Sequence, residues 1–590
     1  MKTQISFYKS ELNRLNLESK KASQKIMLIG AFRFLVFILT LVGIYLSINS
    51  NAIVPILIVG LSGFIVLLKK HIAIKKKRHL INELLKINTL EIDVINGNNE
   101  KLVNGDEFMD SSHYYSYDID LFGEGSLFKH INRTSIKTAT KKLAKIITSN
   151  CIENIPAKQK MLSELAENPK WRQLYSAIAS IANIDVKTNN ILKYKKENSF
   201  FVPKTFKYIP LIFSSITILL IALYVTNNMP MGIIGLWFVI GMTVTGRYLS
   251  KINTLYKLSN KGGEAFNQIS LLLNEIENSN FKSELLEKQI YKIETADRKA
   301  SIILKDFSKA LDAFDQRNNM LFGFFANGLL LWDLKQSYRI EKWIKNYANN
   351  VEDWFEVIAF FDAQNSLANY VFNSPNYNFP TINNNNKEIL EAENLGHPLL
   401  KVNARIDNNF VISKNDFFII TGANMAGKST FLRTISLSII MANVGLPICA
   451  TRSNYTPIKL ITSMRTSDSL IDNESYFFSE LKRLKFIVDQ VKNDNYFIIL
   501  DEILKGTNSK DKAIGSKKFV EQLVRTNATG IIATHDLSLC AIEEELKQVK
   551  NYYFDAEIKN NELYFDYMFK KGVCKNMNAS FLLKKMEIIT

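Results

Sequence analysis

Phe417-Phe418-Ile419-Ile420-Thr421-Gly422-Ala423-Asn424-Met425-Ala426-Gly427-Lys428-Ser429-Thr430 is a β-favouring apolar run, a glycine-bounded loop, and a Lys-Ser-Thr that opens the helical pattern of Phe431–Ala442. The spacing is GxxxxGK[ST], and it falls where that motif has meaning, between a predicted strand and a predicted helix. Such a loop turns successive backbone N–H groups toward phosphate oxygens, and the helix N-terminus adds a favourable dipole. Gly422, Ala423, Asn424, Met425, Ala426, Gly427, Lys428, Ser429 and Thr430 are therefore the candidate ATP-binding residues. Lys428 is expected at the β- and γ-phosphates and Ser429 at Mg²⁺. ATP and Mg²⁺ are the expected cofactors.

Two further strand ends add chemistry. Tyr496-Phe497-Ile498-Ile499-Leu500 runs into Asp501-Glu502, and Gly530-Ile531-Ile532-Ala533 runs into Thr534-His535-Asp536. An Asp closing a buried strand can hold the Mg²⁺ shell, and the Glu after it can orient or deprotonate the attacking water. Asp501 is thus the second expected metal residue, and Glu502 and His535 the expected catalytic pair. Short β-rich strings alternate with helical segments from about Phe379 onward, which predicts an α/β domain.

These residues resemble the MutS family. Thr421–Thr430 with Phe431-Leu432-Arg433 is similar to its phosphate loop, TGPNMxGKSTxLR, with Ala423 for Pro and Ala426 for Gly. Asp501-Glu502-Ile503, Gly506-Thr507-Asn508-Ser509 and Asp511 are similar to its DEIGRGTSxxDG, with Leu504-Lys505 in place of Gly-Arg. Thr534-His535 matches its strand-end pair, and Ser475-Tyr476-Phe477-Phe478-Ser479-Glu480 its STFxxE signature. The resemblance implies an ATPase that works as a homodimer through its ATPase domain, with Ser475 reaching the partner's nucleotide. Upstream, Asp362–Ala368, Pro380 and Gly396-His397-Pro398 look like the junction of helical core and ATPase, and Gly125–Phe128 with Asn132-Arg133-Thr134 like the start of that core.

The first 250 residues depart from that pattern. Met27–Ser47 is uncharged except for Arg33, and Ala52–Leu68 carries no charge. At about 1.5 Å per residue each covers most of a bilayer core roughly 30 Å thick. Tyr208–Gly246 is also uncharged and is divided by Thr226-Asn227-Asn228-Met229-Pro230. Two transmembrane hairpins are expected. Lys69, Lys70, Lys75, Lys76, Lys77 and Arg78 follow the first; Lys193, Lys195, Lys196, Lys204 and Lys207 precede the second, and neither turn contains Lys or Arg. By the positive-inside rule both termini and the ATPase face the cytoplasm, in a cytoplasmic or inner membrane.

The formal net charge of +17 favours anionic partners, whether nucleic acid or acidic lipid. Four widely separated cysteines form no CxxC pair, so neither a disulfide framework nor a zinc ribbon is indicated.

The expected architecture is α plus α/β: a cytoplasmic N-terminal helix over 1–26, a first hairpin at 27–68, a connecting segment at 69–114, a long-helix core and lever domain at 115–380 interrupted by a second hairpin at 208–246, and the ATPase at 381–590. A large mismatch-reading domain is not expected, and Phe122-Gly123-Glu124 and Phe478-Ser479-Glu480 are coincidental F-x-E strings. DNA and the lipid bilayer are the expected partners beside a second copy. A membrane ATPase that moves helices or couples to transport without touching DNA is the alternative.

Overall fold

The computed structural model describes all residues except 1, 49, 51, 183–193, 195–199, 260–261, 296–297, 384–386, 466–475, 560–561, 576–586 and 589–590. Lys193, Lys195, Lys196 and Ser475 thus lie outside the described residues, as does most of the Asn383–Asn386 run.

Two helices dominate the N-terminal part: α1 (Lys2–Leu46) and α2 (Ile53–Ile95), antiparallel and packed on each other. Both are long and apolar enough to cross a membrane. The boundaries expected at 26/27 and 68/69 fall inside these continuous helices. Their character changes along the length instead. Tyr8, Glu11, Leu15 and Ala22 of α1 and Ile81, Asn88 and Glu91 of α2 are buried, whereas none of the described residues of 27–46 or 53–68 is.

The helical body follows as α3 (Leu127–Ile131), α4 (Lys137–Thr148), α5 (Ile155–Glu167) and α6 (Pro169–Ile181), then α7 (Ile209–Val225), α8 (Met231–Arg247), α9 (Leu249–Ser259), α10 (Gly262–Glu277), α11 (Glu284–Ile293), α12 (Ala300–Asp315), α13 (Met320–Leu330), α14 (Trp332–Tyr347) and α15 (Val351–Asn373). The helices of the second expected hairpin, α7 and α8, have 17 residues each. They rise only about 25 Å, and α8 meets α9 at a 60° bend.

The amphipathic pattern of Ala300–Phe325 predicts one helix, but the structure breaks it at Gln316–Asn318. Asn319 then restarts the chain as a cap, accepting a hydrogen bond from the Phe322 N–H. A polar Arg-Asn-Asn run supplies the break, since Asn favours caps over helix interiors.

One buried carboxyl ties two of these helices together. Asp362 of α15 accepts hydrogen bonds from the backbone N–H groups of Ser135 (2.9 Å) and Ile136 (3.0 Å), at the entry to α4. Burial pushes its pKa up to about 7 even though both N–H groups oppose the shift. A raised folded-state pKa means that the stabilisation is complete below the unfolded value near 4 and is lost as pH rises through about 7. Asp362→Asn keeps an acceptor for both N–H groups and removes the titration. Its stability should decline less than that of the wild type between pH 5 and pH 8, the difference reaching a few kcal/mol. Thermal unfolding at the two pH values reads this directly.

The chain then forms two sheets. Strands β1 (Thr381–Ile382), β2 (Glu388–Leu395), β3 (Asn408–Ser413) and β5 (Arg452–Tyr455) make a small one, in the order β1-β5-β2-β3. The larger contains β4 (Phe417–Gly422), β6 (Lys459–Ser463), β7 (Tyr496–Asp501), β8 (Thr529–Ala533), β9 (Val549–Phe554) and the edge pair β12 (Lys570–Lys571); β10 (Glu557–Lys559) and β11 (Glu562–Tyr564) form a separate hairpin.

The larger sheet has the order β12-β9-β4-β8-β7-β6 and is parallel except at β12. Its inner strands β4, β7 and β8, and β6 at one edge, are buried on both faces, as expected of parallel strands covered by helices, whereas β9 and β12 are only partly buried. Phe418 and Ile420 of β4 enter the core shared with the helical body, whereas Phe417 and Ile419 enter the second core. That second core includes residues of α17 (Tyr476–Val491) and α18 (Ser509–Arg525). On the first face, α16 (Lys428–Val444) packs against α4 and α5, which in turn pack on α15.

Candidate nucleotide-binding site

The loop between β4 and α16 owes its shape to two glycines. At Gly422 (φ 150°) a Cβ would lie 2.6 Å from the Phe554 carbonyl oxygen, so a side chain would push β9 away. Gly427 is left-handed (φ 101°) and directly precedes α16. Met425 (φ 66°) is the other left-handed residue of the loop; Ala423 and Ala426 are not left-handed, so neither alanine strains it.

Lys428 is buried and turns back over this loop. Its ammonium donates to the carbonyl oxygens of Gly422 (2.7 Å) and Ala423 (2.9 Å) and sits 3.3 Å from His535 Nε2. Burial holds its pKa below the usual lysine value, and the nearby Asp501 and Glu502 carboxylates oppose that shift. Its nearest partners are loop carbonyls, a position from which phosphate oxygens can take the ammonium over.

The sheet order brings the three motifs together. Because β8 lies between β4 and β7, with Asp501 paired to Ala533, Asp501-Glu502 and Thr534-His535 emerge side by side beyond the loop. Ser429 Oγ donates to Asp501 Oδ2 at 2.7 Å. This places a hydroxyl and a carboxylate where a hard cation could take both. Mg²⁺ commonly uses one or two protein oxygens and completes its octahedron with phosphate and water, so this sparse donor set fits it.

Glu502 Oε1 lies 3.2 Å from His535 Nε2, and Glu502 Oε2 lies 3.9 Å from Lys505 Nζ. Burial first, then Lys428, hold the His535 pKa below the usual histidine value, so its ring is neutral at pH 7.

Beyond Glu502 the chain makes an unusual turn. Glu502 (φ 51°) and Leu504 (φ 58°) are both left-handed. Such a conformation costs a non-glycine residue roughly 1–2 kcal/mol. The burial of Leu504 against Gly515 of α18 offsets that cost. Glu480 of α17 braces the same turn by accepting the Lys505 N–H at 3.0 Å. Of the STFxxE-like string the structure thus places Glu480, while Ser475 lies outside the described residues.

Other residues of the site are not apparent from the motifs. A cleft of about 580 Å³ extends from the loop between His397, Leu400, Arg405, Ile406 and Tyr567. Its mixture of apolar, aromatic and polar groups beside a phosphate loop suits a base and ribose. Burial, with Arg433 and Arg405 adding to it, lowers the His397 pKa to about 4, so that ring too is neutral. Gly396-His397-Pro398 signals this wall; nothing local signals Tyr567, which lies more than a hundred residues downstream of the loop and whose ring would be 3.0 Å from a Cβ on Gly427. Asp120 of the helical body is equally silent in sequence. It pairs with Arg433 of α16 (3.3 Å) and Arg465 after β6 (2.5 Å), tying the loop helix to the region beyond β6.

A parallel sheet carrying a phosphate-loop geometry and acidic and histidine side chains at adjoining strand ends is the architecture of the P-loop nucleotide-binding proteins. Within that class, residues 418–587 match the family model MutS domain V. The chain is 34% identical over 203 residues to human MutS protein homolog 4, covering 32% of this chain and 21% of that protein. It is 30% identical over 315 residues to DNA mismatch repair protein MutS of Finegoldia magna, covering 52% and 32%, and 29% identical over 300 residues to that of Clostridioides difficile, covering 49% and 30%. The matched parts thus span only about a fifth to a third of these relatives. Residues 418–587 are thus similar to MutS domain V, and the likeness to these MutS relatives covers about a third to a half of this chain.

Proposed function

We propose that this protein is a membrane-anchored MutS-type ATPase that couples ATP binding and hydrolysis to DNA binding. The observation that carries the ATPase part is the meeting of Lys428, the Ser429–Asp501 pair and the Glu502–His535 pair beside one cleft. In this proposal Gly422–Thr430 cradles the phosphates, Ser429 and Asp501 hold Mg²⁺, Glu502 orients the attacking water, and neutral His535 fixes the Glu502 carboxylate. Ser475 of the partner subunit completes the site in a homodimer formed through the ATPase domains. Anchoring is supported by α1 and α2, whose outer apolar halves bury nothing, and by the lysines that follow the first hairpin. Both termini and the ATPase then face the cytoplasm.

DNA binding is supported by the names of the relatives and by the net charge of +17. Phosphate contacts from Lys and Arg carry no sequence information. Affinity should therefore fall steeply with salt, and matched and single-mismatch duplexes should differ by less than about 1.4 kcal/mol, or tenfold, at fixed salt. A salt-titrated binding assay on the detergent-solubilised protein, with and without ATP, tests this. A hundredfold preference for the mismatch would overturn the expectation, and no binding at any salt would remove DNA from the proposal.

ATP-driven movement of membrane helices without DNA is the second possibility. It is supported by the succession of α14 and α15, joined by a short 3₁₀ turn at Ala348–Asn350, which leads from the apolar helices α7, α8 and α13 toward the first strand after the helical body.

A further inference from the structure

We propose that α13, Met320–Leu330, sits in the cytoplasmic leaflet of the bilayer as a half-spanning apolar wedge, its exposed face covered by lipid acyl chains. This rests on the membrane anchoring proposed above and extends it to an element outside both expected hairpins.

The helix is apolar along its length except for Asn327, yet its N-terminal half faces outward: Met320 is 86% exposed and Leu321 72%, with Phe324 and Phe325 also exposed. Its other face is seated on the second hairpin at very short range. A Cβ on Gly241 of α8 would lie 2.2 Å from the Gly328 carbonyl oxygen, so the two backbones touch, as small residues allow in membrane helix packing. Phe238 of α8 packs at a tilt of 56° against Phe324, 4.9 Å between ring centres, and Thr217 of α7 donates to the Leu329 carbonyl oxygen at 2.7 Å. Thr217 in turn accepts from Trp237 Nε1 at 2.9 Å. The outward face of α13 is therefore continuous with the exposed apolar faces of α7 and α8, which include Leu211, Ile218, Leu236 and Ile240.

Its dimensions fit a leaflet. Eleven residues rise about 16 Å, roughly half of a 30 Å hydrocarbon core. Both ends carry the polar partners that a non-spanning segment needs at membrane depth. Asn319 caps the start, and Asn327 Oδ1 accepts the Asp333 N–H at 2.9 Å just past the left-handed Leu331. Arg317 pairs with buried Asp333 at 3.1 Å and lies over the Tyr256 and Phe314 rings, closing the base of the segment. Acyl chains are the occupant that this continuity selects; a second protein copy is an outcome of the test.

Nitroxide labels placed singly at Leu321→Cys, Phe324→Cys and Phe325→Cys, in full-length protein carrying Cys151→Ser, test the wedge in vesicles of phosphatidylcholine and phosphatidylglycerol. Of the native cysteines Cys151 alone is exposed. Reference labels go at Ile218→Cys on the second hairpin and at Lys305→Cys on the soluble side. The accessibility ratio of oxygen to a water-soluble nickel complex should shift from the Lys305 value to the Ile218 value at all three positions. If Ile218 reports lipid while 321, 324 and 325 report water, the wedge is overturned and the anchoring stands. Shielding of the three labels from both reagents would assign the face to protein and also overturn the wedge. Water at Ile218 as well would overturn the second hairpin together with the wedge.

Discussion

ATP turnover by Glu502→Gln should fall by roughly 10²-fold or more while nucleotide binding is kept. The amide has the shape of the carboxylate and can still meet His535 Nε2, now 3.2 Å from the acid. It cannot take a proton from water or orient it with a full negative charge. A hundredfold loss corresponds to about 2.7 kcal/mol of transition-state stabilisation. The proposed phosphate cradle, backbone groups of Gly422–Gly427 with Lys428, is left alone by this change. Lys428→Ala should do the reverse and weaken binding, because it removes the one buried ammonium at the loop. Equilibrium binding of a fluorescent ATP analogue, read beside single-turnover hydrolysis, separates the two effects. Wild-type hydrolysis by Glu502→Gln would overturn the role proposed for Glu502.

Arg133→Ala should cost the helical body about 3–5 kcal/mol of unfolding free energy, the penalty for stranding a buried charge. Arg133 Nε donates to Glu91 Oε1 at 2.6 Å, and Glu91 is only 2% exposed. The other Glu91 oxygen accepts from Asn373 Nδ2 at 2.9 Å, and Asn373 Oδ1 accepts from Tyr8 O–H at 2.9 Å. This chain of bonds fastens both N-terminal helices to the last turn of α15, just before the sheets begin. Replacing Glu91 and Arg133 together by apolar residues of similar volume should be far milder, because no charge is left unpaired. All five tryptophans lie between residues 171 and 354, so intrinsic fluorescence follows the helical body alone during denaturation. A loss below about 1 kcal/mol in Arg133→Ala would mean that water reaches Glu91 in the variant.

The strand–loop–helix form of Phe417–Val444 was legible because it is local. A buried strand, two glycines at fixed spacing and a Lys-Ser pair at a helix start define a phosphate cradle wherever they occur, since backbone N–H groups do most of the binding. The strand ends at Asp501 and His535 were legible for the same reason: four or five consecutive apolar residues followed by a polar one read as a buried strand emerging at a surface. The apolar halves of α1 and α2 needed only a count of uncharged residues.

Tertiary structure alone decided what meets what. That β8 separates β4 from β7, and so sets His535 against Glu502 and Lys428, depends on strand order, which no local pattern encodes. Leu504 is tolerated in a left-handed turn because Gly515 of a separate helix leaves room for its side chain. Asp120 and Tyr567 reach the site from residues far away in sequence and carry no motif. In Ala300–Phe325 local periodicity predicted one amphipathic helix, whereas the folded chain breaks it and lays α13 against α8 through Gly241 and Gly328. Periodicity reports which face of a segment is apolar; only the packed neighbours decide whether that face meets protein or is left open.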